Sequence, residues 1–187
     1  MPGIDDGDLY ADPGFREGFA VLEEMGLAFD AYQYHTQTKS LTELARAFPN
    51  VNIVNDHLGT PLGTGPYAGR TEAIFDEWAR DLAEQAKCPN MFMKLGGLAM
   101  PWNGFGFEEQ AQPPSSDEVV AAQSRYYHTA IELFGPERCM FESNFPVDKC
   151  ALSYTVLWNA FKKMAAQYTE AEQDELFRGT ATRFYQL

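Results

Sequence analysis

The sequence predicts a parallel α/β fold, specifically half of a barrel built from about four strand–helix units. Three observations carry this. Four short apolar stretches stand at Leu27–Tyr34, Val51–Asp56, Met91–Leu95 and Cys139–Phe141. Each is followed by a segment with helical spacing or helix-cap chemistry, and most connections are short. Every crossover therefore contains a helix, which is the arrangement of right-handed crossovers in a parallel sheet. Four strands cannot close a barrel, which needs eight strands and about 250 residues. An open parallel sheet of this size leaves bare edges and one uncovered face.

Taken in order, Met1–Ala11 is polar, rich in Gly and Asp, and reads as a loose lead-in. Asp12 before Pro13 is an N-cap followed by proline at the first helical position, and Phe15, Phe19, Leu22 and Met25 follow at helical spacing up to Gly26. On Leu27–Tyr34, alternation places Leu27, Phe29, Ala31 and Gln33 on one face, with His35 just beyond. Ser40 and Glu43 form a capping box for a helix to Phe48, closed by Pro49. Gly59–Gly69 is a loop, and Arg70–Lys87 is amphipathic through Ile74, Trp78 and Leu82. Gly96–Pro114 has the length of a lid or binding loop. Ser115 and Glu118 cap a helix to Phe134, Leu152–Tyr168 is helical, and Thr169 and Glu172 cap a further helix ending near Gly179. A last helical segment runs to Leu187.

The chain has 187 residues, one domain or part of one, with 45% hydrophobic and 14% aromatic residues, enough for a packed core. Fourteen basic against 27 acidic side chains give a formal charge of −13, which repels phosphate backbones and argues against nucleic acid as a partner. No apolar run reaches the roughly 20 residues of a membrane span, and no signal peptide opens the chain. Cys88, Cys139 and Cys150 are too scattered for a disulfide framework or a CxxC metal site, so a reducing cytoplasm is the expected location.

Chemistry concentrates at strand ends. Val51, Ile53, Asn55 and His57 would share a face that ends on an imidazole, and strand tips of parallel barrels are where side chains meet substrate. His57 is accordingly a candidate to orient or protonate a substrate oxygen or to activate water. His35 and Gln33 stand at the corresponding tip of the first strand. Asn144 could donate to a carbonyl oxygen, or simply serve the turn before Phe145-Pro146. Lys94, on an otherwise apolar strand, is either a partner for a substrate carboxylate or an interior charge paired with an acid such as Glu142. Trp102, Phe105 and Phe107 could close over a substrate or merely cover the core. Asp56 reads as a structural group on the face opposite His57, Asp148 as a cap for the helix that follows, and His128 has no assigned role. Ser143 lacks a Gly-x-Ser-x-Gly elbow and is rejected as a nucleophile.

Several stretches resemble the amidohydrolase-related branch of the amidohydrolase superfamily, which includes lactone hydrolases and metal-dependent decarboxylases. FPNVNIVNDHLGTPLG is similar to that branch's sixth-strand pattern, and FGPERCMFESNFPVDK to its eighth, usually written Gly-Ser-Asp-Trp/Phe-Pro. LFRGTATRFYQL resembles its closing helix, and the Tyr34–Gln37 segment the end of its fifth strand. The resemblance implies a (β/α)8 barrel, with residues 1–187 a single partial domain equivalent to strands five to eight. It implies hydrolysis of a lactone or similar small carbonyl compound, with His57, His35 and Asn144 catalytic and Lys94, Gln33 and Trp102 binding substrate. Two departures stand out. The branch's His-x-His pair is absent, the only histidines being His35, His57 and His128, and the eighth-strand aspartate is Asn144. A neutral amide is a poor base and a poor ligand, and a catalytic zinc needs about three protein ligands. No metal is therefore expected from this chain alone; zinc would require ligands from a missing N-terminal half. The competing expectation is an incomplete or non-catalytic relative: a fragment, a chain with a misassigned start, or a half-barrel that self-associates or pairs with a complementary half.

Overall fold

In the computed structural model, which describes residues 8–187, four parallel strands lie side by side in chain order. They are β1 (Phe29–Ala31), β2 (Ile53–Asn55), β3 (Met91–Leu95) and β4 (Cys139–Phe141). The helices between and around them are α1 (Pro13–Met25), α2 (Thr38–Ala47), α3 (Thr71–Gln85), α4 (Ser116–Phe134), α5 (Tyr154–Ala165), α6 (Glu170–Asp174) and α7 (Thr180–Tyr185). This is the expected half-barrel of four strand–helix units. The expected lead-in falls mostly on residues 1–7, outside the described residues, and Leu9–Ala11 is a 3-10 turn.

The register divides the sheet into two faces. Phe29, Ile53 and Met91 stand in line, as do Ala31, Asn55, Met93 and Cys139, and they face the main core with α2 to α5. Trp78, Tyr127, Phe134 and Phe161 complete that core. The opposite, inner face carries Asp30, Val54, Phe92, Lys94 and Met140. It is covered by α7, whose Phe184 ring lies 5.0 Å from Phe92 and packs with Val54 and Met140. α7 reaches this position through a π turn at Glu175–Gly179, so the last helices run on without the break expected near Gly179.

The first two strands are shorter than expected; the second is cut because Val51 is still held in a turn by Phe48 and Asp56 already begins a 3-10 turn. The caps at Asp12, Ser115 and Thr169 form as read. The box at Ser40 and Glu43 does not: α2 starts earlier, at Thr38, continuing a 3-10 turn whose Gln37 carboxamide accepts from the Tyr34 N–H. Ser40 instead donates to Asp8. Among the described residues no helix is long and apolar enough to cross a membrane.

Candidate active site

The loops that follow the four strands meet at one rim, and His57 and Glu142 are joined there. Alternation along β2 does not deliver His57 as expected. Asn55 points into the helix-side core and donates to Gln85 at 2.9 Å. The chain then turns through His57, Leu58, Gly59 and Thr60, all with positive φ, at 57°, 56°, 64° and 44°. Left-handed conformation disfavours side chains, so the turn needs support. It comes from the Trp78 indole N–H on the Leu58 carbonyl at 2.6 Å, and from Thr60 N–H on the His57 carbonyl at 2.9 Å.

The turn swings the His57 ring onto Glu142, with Nδ1 at 2.5 Å from Oε1, while the His57 backbone N–H donates to the same oxygen at 3.1 Å. A carboxylate at that nitrogen places the proton on Nδ1 and leaves Nε2 as the working atom. Burial works against a charged imidazole, but the hydrogen bond and charge of Glu142, aided by Asp56 and Asp148, hold the His57 pKa above its ordinary value. Two glycines make room for the pair. A Cβ on Gly97, where φ is 71°, would lie 2.7 Å from the His57 Cβ, and one on Gly96 would lie 2.5 Å from the Glu142 Cγ.

Lys94 does not pair with Glu142. Asp56 follows Val54 by two residues and Lys94 follows Phe92 by two, and Val54 and Phe92 are register partners, so Asp56 and Lys94 are level on the inner face. Lys94 Nζ lies 2.9 Å from Asp56 and 2.6 Å from Asp30, and it sits over the Tyr185 ring. Its pKa is raised by these partners against the effect of burial. Burial raises Asp56 despite the lysine. The ammonium is therefore held by two carboxylates and not left free for a substrate carboxylate.

Asn144 also has positive φ, at 50°, and its Nδ2 donates to Asp148 at 2.8 Å. Asp148 is fully buried, has no partner for its other oxygen, and is pushed by burial up to about 7. It does not cap α5; Ser153 does, accepting from the Val156 N–H. His35 is buried against the loop after β2. Its Nδ1 accepts from the Leu62 N–H at 3.2 Å, its Nε2 has no partner, and its ring stands on edge to Tyr67. Burial lowers its pKa, so it is neutral. Gln33 is buried with both amide atoms unpartnered. Trp102 stitches the loops through its carbonyl, which accepts from Gly63 and Thr64, and its indole N–H has no partner. Phe105 and Phe107 stack on each other, with Phe105 edge-on to Tyr126, so this part of the long loop covers the core.

Glu142 and Asp148 are the site groups that the sequence reading placed elsewhere. The signal for Glu142 was present: it follows Met140 by two residues, which puts it on the inner side of the strand line. Among the described residues no three His, Cys, Asp or Glu side chains are placed to hold a metal ion. The Nδ1 atoms of His57 and His35 are engaged by Glu142 and by a backbone N–H, and two imidazoles with the neutral Asn144 fall short of the roughly three protein ligands a catalytic zinc needs.

The amidohydrolase family model matches residues 1–187. The y4mH protein of Sinorhizobium fredii is 34% identical over 185 residues, covering 98% of this chain and 55% of y4mH. L-fucono-1,5-lactonase of Burkholderia multivorans is 26% identical over 187 residues, covering 98% of this chain and 60% of the lactonase. A crystal structure of a zinc-bound amidohydrolase from Burkholderia multivorans, 25% identical, superposes with a TM-score of 0.83 over 98% of this chain and 62% of its own. The chain thus spans somewhat over half the length of these relatives, whose neighbouring folds are TIM barrels. With four parallel strand–helix units, polar groups gathered at the strand tips and a family match along its length, this chain belongs to the amidohydrolase family.

Proposed function

We propose that this rim hydrolyses a neutral lactone, with His57 as the proton-transfer group and Glu142 as the carboxylate that orients it. The observation that carries this is the 2.5 Å contact between His57 Nδ1 and Glu142. A carboxylate in that place fixes the tautomer and stabilises the imidazolium that forms when Nε2 takes a proton. His57 Nε2 would accept a proton from water as the water oxygen attacks the lactone carbonyl carbon. Collapse of the tetrahedral intermediate breaks the bond to the ring oxygen, which leaves as an alcohol with the proton returned by His57. The second N–H of the Asn144 amide, not engaged by Asp148, is available to the developing oxyanion.

Charge favours a neutral substrate. Lys94 is neutralised by Asp30 and Asp56, and Glu142 adds a carboxylate at His57. A lactone enters such a site without penalty, and its product, a hydroxy acid anion, is repelled from it. The L-fucono-1,5-lactonase relative acts on a substrate of this kind. A divalent metal like the zinc of the Burkholderia structure would need ligands from outside this chain, and no step here is routed through one.

Hydrolysis of a panel of neutral sugar lactones, L-fucono-1,5-lactone among them, followed by acid release, tests the reading. Turnover is expected, with His57→Ala lowering it by roughly 10²–10⁴-fold. Glu142→Gln should lower the rate and shift the rising limb of the pH profile to more acid pH, because the charge that raises the His57 pKa is gone. No turnover on the panel, or a His57→Ala protein as fast as the parent, would sink the proposal.

A further inference from the structure

Side chains go on alternating just past β1: Asp30 and Tyr32 are exposed, while Ala31 and Gln33 are buried. Tyr32 therefore continues the inner face, two residues beyond Asp30, and stands level with Asp56 and Lys94 at the rim. Its side chain is 51% exposed. The ring centroid lies 5.4 Å from that of His57 with the planes at 67°, so the two rings meet edge to face. Tyr34 meets Tyr32 in the same manner at 6.1 Å. Burial, with Tyr34 alongside, pushes the Tyr32 phenol up to about 12, so the ring is uncharged at neutral pH.

The direction of the imidazole gives this ring a role. The two nitrogens of an imidazole point away from each other across the ring. Nδ1 is aimed at Glu142, which follows β4, and β3 separates β4 from the strand that carries His57. Nε2 is therefore aimed back toward the β1 side, where Tyr32 stands. A lactone whose carbonyl carbon is within reach of a water on Nε2 has to rest against the Tyr32 ring. We propose that Tyr32 is a specificity-determining wall: the C–H face of a six-membered lactone ring packs on it while the carbonyl meets the water on Nε2. This rests on the hydrolase reading above and names the surface that selects the ring. An open-chain ester offers the same carbonyl but no ring face, and it loses rotational freedom on docking there. Tyr32 touches the part of the substrate that does not react, equally in the ground and transition states, so its contribution falls on KM and not on kcat.

The probes are L-fucono-1,5-lactone and L-fucono-1,5-lactam, the second of which resists hydrolysis and reports binding by NMR without turnover. Tyr32→Ala should raise both the KM for the lactone and the Kd for the lactam by roughly tenfold, with kcat within about threefold of the parent. Tyr32→Phe should match the parent in both, because the ring and not the hydroxyl is used. Lactam ring protons should shift upfield in the parent, under the aromatic face, and not in Tyr32→Ala. Unchanged KM and lactam affinity in Tyr32→Ala would overturn the wall, and so would an equal loss in Tyr32→Phe. A Tyr32→Ala protein in which kcat and the His57 titration move while KM stays would make Tyr32 a prop for the imidazole, which also overturns it. Lactam binding that depends on Tyr32, in a protein that hydrolyses no lactone, would remove the hydrolase reading and leave the wall standing. Absence of both turnover and lactam binding would remove the two together.

Discussion

Asp148 is the most strained charge at the site. Its carboxyl group is fully buried, one oxygen accepts from Asn144, and the other has no partner. Burial raises its pKa to about 7, against an ordinary value near 3.8. A raised pKa means that the folded state holds the proton more tightly than the unfolded chain does. The stabilisation is therefore complete below about pH 4 and is lost as pH rises through about 7. Replacing the carboxyl by an amide of the same shape removes that loss and keeps an oxygen for Asn144. Asp148→Asn should match the parent in urea melts at pH 4 and exceed it at pH 8, by roughly 1–4 kcal/mol. A variant no more stable at pH 8 would show that Asp148 is ionised without cost. The sequence alone offers this aspartate as a helix cap; its burial depends on how the rim loops pack.

At the scale of elements, the site depends on two neighbouring loop segments fitting without a gap. The left-handed turn after β2 carries His57 onto Gly97, which follows β3, while the adjacent Gly96 lies against Glu142. Glycine is required at 97 twice over, by its positive φ and by the His57 ring that lies against it. Gly97→Ala should displace the ring from Glu142 and destabilise the fold by roughly 1–3 kcal/mol. An NMR titration would then show the His57 pKa falling toward the ordinary imidazole range. An unchanged titration would mean that the turn yields elsewhere. The same loops explain Lys94: strand register sets it level with Asp56, two positions below the layer in which Glu142 sits.

At the scale of the molecule, the half-barrel has two faces with different cores. The outer core is large and joins all four strands to α2 through α5, while the inner face relies on a few residues around Phe184. Phe184→Ala should cost roughly 3–5 kcal/mol and leave Val54, Phe92 and Met140 open to water. Thermal melts with and without a dye for exposed apolar surface would check this; an unaltered melt would show that α7 contributes little to the inner face.

Element type and order were written in the sequence. Apolar stretches, caps at Asp12, Ser115 and Thr169, and glycine or proline stops are local signals, and local geometry obeys them. His57 was legible too, as an imidazole at a strand end. The inner-side position of Glu142 was legible as well, but its pairing with His57 was not, because joining residues 57 and 142 requires two strands to be set in register and a turn to leave the strand geometry. The tertiary structure also decided that Lys94 faces Asp30 and Asp56, that Asp148 is buried, and that α7 covers the inner face. Each of these joins residues distant in the chain, and distance in sequence carries no information about register until the sheet has formed.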